Sequence, residues 1–156
     1  MIKVDVDIKG PVAMINALTN NLSAQSFKRL AETEINNYVH EETRKNFTSG
    51  GKRAGGWADI KQETKDRKGS GKILREADIL MEAASSIPVE VSGYTATWSS
   101  KNISGESYDN GNSVRDIMVY HQANAKRTAK RPILVWNKAQ DEPKLTRMVE
   151  THIMKI

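Results

Sequence analysis

Apolar residues recur along this chain with two different periods, and the switches between them lay out its elements. Ile2, Val4, Val6 and Ile8 alternate with Lys3, Asp5, Asp7 and Lys9, the period of two that a half-buried strand needs. Gly10-Pro11 interrupts that alternation. Pro11 suits the first turn of a short helix carrying Val12, Ile15 and Leu18, where a missing N–H costs nothing. Ser23 is placed to cap a long helix. The apolar set of that helix, Phe27, Leu30, Ala31, Ile35, Tyr38, Val39 and Phe47, is spaced by threes and fours, with a polar gap at Glu42 and Thr43. Lys28, Arg29, Glu32, Asn36, Asn37 and Lys45 fill the opposite face, as an amphipathic helix requires. Gly50-Gly51 ends it by accepting the left-handed backbone of a helix C-terminus.

The stretch 49–71 carries four glycines ahead of Trp57, dense charge and few apolar side chains. It reads as a long, exposed and mobile basic loop, docked locally by Trp57 and Ile60, with a helical turn over 64–68. Ile73, Leu74, Ala77, Leu80, Met81, Ala84 and Ile87 predict a second amphipathic helix, stopped by Pro88. Val89 and Val91, then Tyr94, Ala96 and Trp98, predict two strands turning at Ser92-Gly93. Residues 99–113 are rich in Ser, Asn and Gly and form a loop. Val114–His121 reads both ways: Ile117, Val119 and His121 alternate, while Ile117, Tyr120 and Gln122 fit a helical turn. Ile133-Leu134-Val135-Trp136 predicts a short buried strand, with Pro132 at its start. Leu145, Met148, Val149, His152, Ile153 and Ile156 outline a terminal helix. The sum is a single α+β domain over residues 1–156, an antiparallel sheet packed with long amphipathic helices and one extended flexible loop at 49–71.

A length of 156 residues suits one core, and the charge distribution then sharpens the picture. Residues 44–75 hold ten Lys or Arg against Asp59, Glu63 and Asp66, and Lys126, Arg127, Lys130 and Arg131 follow later. With a net charge of +5 for the whole chain, the remainder is acidic. Clustered cations suit phosphate neutralisation, so a small basic nucleic-acid-binding protein is the alternative reading. No aromatic residues interleave with these cations as a base-stacking platform needs. Solvated loops, or basic loops meeting acidic helices of a neighbouring copy, account for the same pattern.

Chemistry is sparse. The chain has no Cys, which excludes a disulfide framework, a thiolate nucleophile and Cys-based zinc. The glycines of 50–56 lack the Gly-Lys-Ser/Thr ending of a phosphate loop. Asp5 with Asp7, and Glu41 with Glu42, read as solvated acids rather than metal ligands. His121 has no nucleophile at a telling spacing and reads as a structural hydrogen-bonding group, with His40 and His152 on expected helices. No enzyme, cofactor or metal is expected. The acidic N-terminal alternation does not suit a signal peptide, and no apolar run nears the roughly 20 residues that span a bilayer. A soluble cytoplasmic product without membrane contact is expected.

One ordered set of motifs remains. Gly55-Gly56-Trp57, Thr64, Ile73-Leu74, Tyr120-His121-Gln122 and Arg131-Pro132-Ile133-Leu134 occur in an order that resembles the virion-morphogenesis and tail-completion family of tailed bacteriophages. The resemblance spans about residues 24–155. The chain departs from the family pattern at Ala123-Asn124-Ala125, where a glycine is usual, and at Arg75–Asp78, where a Ser-Gly or Thr-Gly turn is usual. The resemblance implies a structural assembly protein of the neck, completing the tail and joining it to the head. It implies a homo-oligomeric ring, a hexamer by the six-fold symmetry of tail tubes. Its partners would be other copies of itself, the tail tube or tail terminator, head-connector proteins and DNA passing through the lumen. It would be assembled in the host cytoplasm and located in the virion. The interface candidates are Trp57, Lys65, Arg67, Lys68, Tyr120, His121, Gln122, Lys126, Arg127, Lys130, Arg131 and Trp136.

Overall fold

Ser23 begins the longest helical stretch by accepting a hydrogen bond from the Ser26 amide at 3.1 Å, which satisfies one of the orphan donors of a helix N-terminus. In the computed structural model, which describes residues 9–68, 71, 74, 78–103, 111–123 and 129–155, this stretch runs as α2 (Ala24–Leu30), a π-helical turn (Ala31–Ile35) and α3 (Asn36–Thr48). Thr33 turns its hydroxyl back onto the Arg29 carbonyl at 2.8 Å within the π turn, a contact that loosens helical regularity. Leu30, Ala31, Ile35 and Phe47 are buried, as their spacing predicts. Glu42 and Thr43, the polar gap, are buried with them. The stretch ends at Gly50 and Gly51, whose φ values of 67° and 82° lie in the left-handed region.

α1 (Lys9–Asn21) precedes this stretch, and the alternating 2–8 segment lies outside the described residues. Asn21 ties α1 to the far end of the chain, donating to the Ile153 and Lys155 carbonyls at 3.1 and 2.6 Å. Ile15, expected on the packed face, is instead exposed. β1 (Val89–Ser92) and β2 (Thr95–Trp98) form an antiparallel hairpin with Ser92 opposite Thr95 and Val89 opposite Trp98. Gly93 opens its two-residue turn at φ 57°, a conformation glycine adopts without steric cost. One face of the hairpin carries Val89, Val91, Ala96 and Trp98 inward, and Trp98 Nε1 donates to Asn36 Oδ1 at 2.9 Å. Helices and an antiparallel sheet together make this an α+β fold.

Two expected elements are corrected and one left open is settled. The helix predicted from Ile73 starts at Ile79, as α5 (Ile79–Ala84). Leu74 and Asp78 adopt φ of 56° and 55°, left-handed conformations that a continuous helix cannot contain; Ile73 and Ala77 lie outside the described residues. Leu74 still packs against the core, from a turn rather than a helix. Val114–His121 resolves as helix, α6 (Val114–Ala123), because Val114, Met118 and His121 are the buried residues and recur at helical spacing. Val119, part of the alternating pattern, is exposed. Residues 133–136 are irregular, bending at Ile133 and Leu134, and pair with no strand among the described residues.

The stretch 49–71 divides in two, so the expectation of an exposed excursion fails over its first part. There the chain folds into a closed turn: Gly51 N donates to Asn46 O at 2.8 Å, Gly56 N to Gly51 O at 2.9 Å and Trp57 N to Gly50 O at 2.8 Å. The turn drives Trp57 into the core, its ring edge-on to Phe47 at 5.3 Å between centroids. The Trp57 ring lies over Gly51 so closely that a Cβ there would stand 2.2 Å from it. The second part is mostly exposed and includes α4 (Gln62–Lys68). Around Phe47 and Trp57 gather Leu80, Met81, Ala84, Ile87, Ile103, Val114, Met118 and Ile133. The terminal helix, α7 (Lys138–Ile153), lies outside this core, and Asp141 is its buried residue.

Candidate functional site

Three of the resemblance motifs, those at Trp57, at Tyr120–Gln122 and at Arg131–Leu134, lie far apart in sequence and meet on one backbone segment. The backbone of residues 132–134 is held by side chains instead of by a neighbouring strand. Gln122, in the last turn of α6, accepts from the Ile133 and Leu134 amides at 2.8 and 3.2 Å and donates to Leu134 O at 3.0 Å. Asn46, near the end of α3, donates to Pro132 O and Ile133 O at 3.0 and 3.1 Å. Trp57 Nε1 donates to Pro132 O at 3.0 Å. Pro132 has no amide to satisfy, so this arrangement leaves few orphans. It also explains why an apolar run with a strand's composition forms no sheet: its hydrogen bonds are already taken.

His121 and Arg131 fix the approach to this clamp. The Arg131 amide donates to His121 O at 2.9 Å, and His121 Nδ1 bonds to Ala129 O at 3.2 Å. The alternating pattern suggested that Tyr120–Gln122 end a strand; they occupy a helix end, which aims His121 and Gln122 at the 129–134 segment. Burial pulls the His121 pKa down, against a smaller upward pull from the Ala129 carbonyl. Arg131, 7% exposed, donates to Ala58 O and Asp59 O at 3.0 and 3.3 Å, joining the clamp to the chain leaving Trp57. Its pKa is lowered by burial, partly opposed by the nearby Asp59.

Beside the clamp lies a buried ionic hub that the sequence reading missed. Tyr38, Glu42 and Asn46 stand one helical turn apart on α3, making a polar stripe on an otherwise apolar face. Arg53, from the closed turn, pairs with Glu42 and, at 2.5 Å, with Asp141 of α7. Tyr38 donates to Asp141 Oδ1 at 2.5 Å, and the Asn137 amide donates to Asp141 Oδ2 at 2.6 Å. Burial pushes the Asp141 carboxyl up, but the Tyr38, Arg53 and Asn137 hydrogen bonds outweigh it, leaving it below the usual range. The Tyr38 phenol is raised to about 12, by burial first and then by Asp141. Burial opposes the Arg53 charge, yet Asp141 and Glu42 hold its pKa above the ordinary value. The hub therefore joins three elements remote in sequence, α3, the 50–57 turn and α7. Glu42, read as a solvated acid, is a buried ion-pair partner; Glu41 is solvated as expected.

The remaining site candidates scatter. Trp136 is 60% exposed, between the clamped Leu134 and the Asn137 amide held by Asp141. Lys65 pairs with Asp59 at 2.6 Å on the second part of 49–71; Arg67 lies on α4, as does Lys68, and Lys130 is exposed beside Arg131. Tyr120 is half-buried on α6. Lys126 and Arg127 lie outside the described residues. The basic stretch is less cationic than its residue count, because Arg44 pairs with Glu82 at 2.9 Å, Lys45 with Glu42 at 2.8 Å and Arg53 with two carboxylates. Acidic helices meet basic segments here within one chain. No helix among the described residues is long and apolar enough to cross a membrane. Comparison of the chain with protein families, characterised proteins and solved structures finds no match.

Proposed function

We propose that this protein is a structural assembly factor of a tailed-phage neck, completing the tail and joining it to the head as a homo-oligomeric ring. The observation that carries this reading is the convergence of Trp57, His121 and Gln122 on the 129–134 backbone, with Arg131 reaching from that segment back to the Ala58 and Asp59 carbonyls. Three of the motifs that resemble the tail-completion family thus act as one unit, and that unit holds backbone. What it presents outward is Trp136, an aromatic residue of the kind that anchors protein contacts. A cyclic arrangement lets one such anchor serve every subunit contact.

The test pairs Trp136→Glu with the unaltered protein. Both should melt alike, since Trp136 is 60% exposed. The unaltered protein should form closed rings on isolated tails, visible by negative-stain microscopy, and should make those tails competent to join filled heads. Trp136→Glu should leave tails and heads unjoined. A protein that stays monomeric on tails and has no effect on joining overturns the assembly reading, and salt-dependent DNA binding without rings would put the nucleic-acid reading in its place.

A further inference from the structure

We propose that the cavity between α3 and the 133–136 segment holds an ordered water molecule, bound by Asn46 Oδ1 and the Thr43 hydroxyl, whatever the protein assembles with. Asn46 is 1% exposed. Its Nδ2 group donates to both Pro132 O and Ile133 O, which fixes the orientation of the amide. The other end, Oδ1, is buried and receives no hydrogen bond among the described residues. A buried acceptor left unmatched is costly, and native folds rarely tolerate one.

Thr43 stands three residues earlier on the same helix, so the two side chains are neighbours. It is 5% exposed, and its hydroxyl can both donate and accept. Both residues line a partly enclosed cavity of about 50 Å³, with Arg53, Asp141 and Val135 among the other walls. A water needs roughly 10–15 Å³ of such space and two or more polar partners. The cavity meets both conditions. Bound there, the water donates one hydrogen to Asn46 Oδ1 and accepts from, or donates its second hydrogen to, the Thr43 hydroxyl. Arg53 and Asp141 line the same space, so the water sits beside the hub of α3, the closed turn and α7.

A crystal structure that resolves ordered solvent tests the site directly. A solvent peak at hydrogen-bonding distance from both Asn46 Oδ1 and Thr43 Oγ1 is expected. A dry cavity, or a protein donor on Oδ1, overturns the proposal. Two conservative variants supply a second readout. Val39, also in the cavity wall, gains one methylene in Val39→Ile. If that group displaces a bound water it strands Asn46 and the melting temperature falls; in a dry apolar cavity the same methylene raises it. Thr43→Val keeps the shape and deletes the hydroxyl, so the solvent peak should weaken and the melting temperature should drop. An unchanged peak and melting temperature in Thr43→Val would overturn the assignment of Thr43 as a partner.

Discussion

Replacing Arg53 with Met keeps the apolar stem of the side chain and deletes the charge at the centre of the hub. Its partners are well removed from water: the side chains of Glu42 and Asp141 are 11% and 3% exposed, against 10% for Arg53. Removing one partner of a buried ion pair typically costs about 3–5 kcal/mol, since the other charge stays buried. The lower end applies here. Glu42 keeps Lys45 at 2.8 Å and Lys144 at 3.9 Å, and Asp141 keeps the Tyr38 hydroxyl and the Asn137 amide. A cost of about 3 kcal/mol corresponds to a melting temperature lowered by roughly 6–12 °C for a chain of this size. The pH dependence gives an independent check. The folded Asp141 pKa lies below its unfolded value, so the stability it contributes is present above about pH 3.9 and is lost as pH falls below that. The penalty of Arg53→Met should therefore be full at pH 7 and shrink towards pH 3. Adding Asp141→Asn to Arg53→Met should cost less than the sum of the two single changes, because the uncompensated carboxylate is gone. Thermal and urea melts followed by circular dichroism measure all of this. A variant within about 0.5 kcal/mol of wild type at pH 7, or a penalty indifferent to acid, would refute the hub as a source of stability.

The closed turn predicts that Gly51→Ala destabilises by about 2 kcal/mol or more, from left-handed strain and collision with the Trp57 ring; intrinsic tryptophan fluorescence should shift to the red as that ring is displaced from the core. Gln122→Ala should cost on the order of 1–3 kcal/mol by stranding the Ile133 and Leu134 backbone groups, and Gln122→Glu, which keeps the acceptor and loses the donor, should fall between it and wild type in urea melts. His121 has a folded pKa lowered by burial, so its contribution is present above about pH 6.5 and is lost as pH falls below it. A melting-temperature profile between pH 7 and pH 5 should show that loss, and His121→Gln should flatten it.

What the sequence made legible was whatever is written in local order. Ser23 as a cap, the long apolar spacing from Phe27 to Phe47, and the Val89–Trp98 hairpin with Gly93 in its turn all rest on residues close in the chain. The misplaced elements show where local order stops. Ile117, Val119 and His121 alternate as neatly as a strand, and only burial of Val114 and Met118 settles the segment as helix. Ile133–Trp136 has a strand's composition, but side chains from α3, α6 and the closed turn reach its backbone first. The hub was harder still. Glu42, Arg53 and Asp141 lie far apart in sequence, and a pairing across that distance leaves no periodic trace. Its one local signal was the Tyr38, Glu42, Asn46 stripe, a polar row at helical spacing on a buried face. Read as a gap in the apolar pattern, it concealed the residues that hold α7 in place.

The clamp and the hub together bear on how the proposed assembly surface is built. Leu134 is pinned on one side by Gln122, and the Asn137 amide is pinned on the other by Asp141. Between those two anchors the chain carries Val135 and the exposed Trp136. A short span fixed at both ends has little freedom left to lose when a partner covers it, so more of the contact energy of its aromatic ring appears as affinity. The exposed part of 49–71, by contrast, must surrender whatever freedom it has on binding. On the proposed reading, the geometry therefore favours Trp136 as the energetic centre of the subunit contact, with Lys65 and Arg67 steering approach through charge rather than holding the complex. Rising salt should then slow ring formation on tails while leaving finished rings intact, whereas rings held by those cations would come apart.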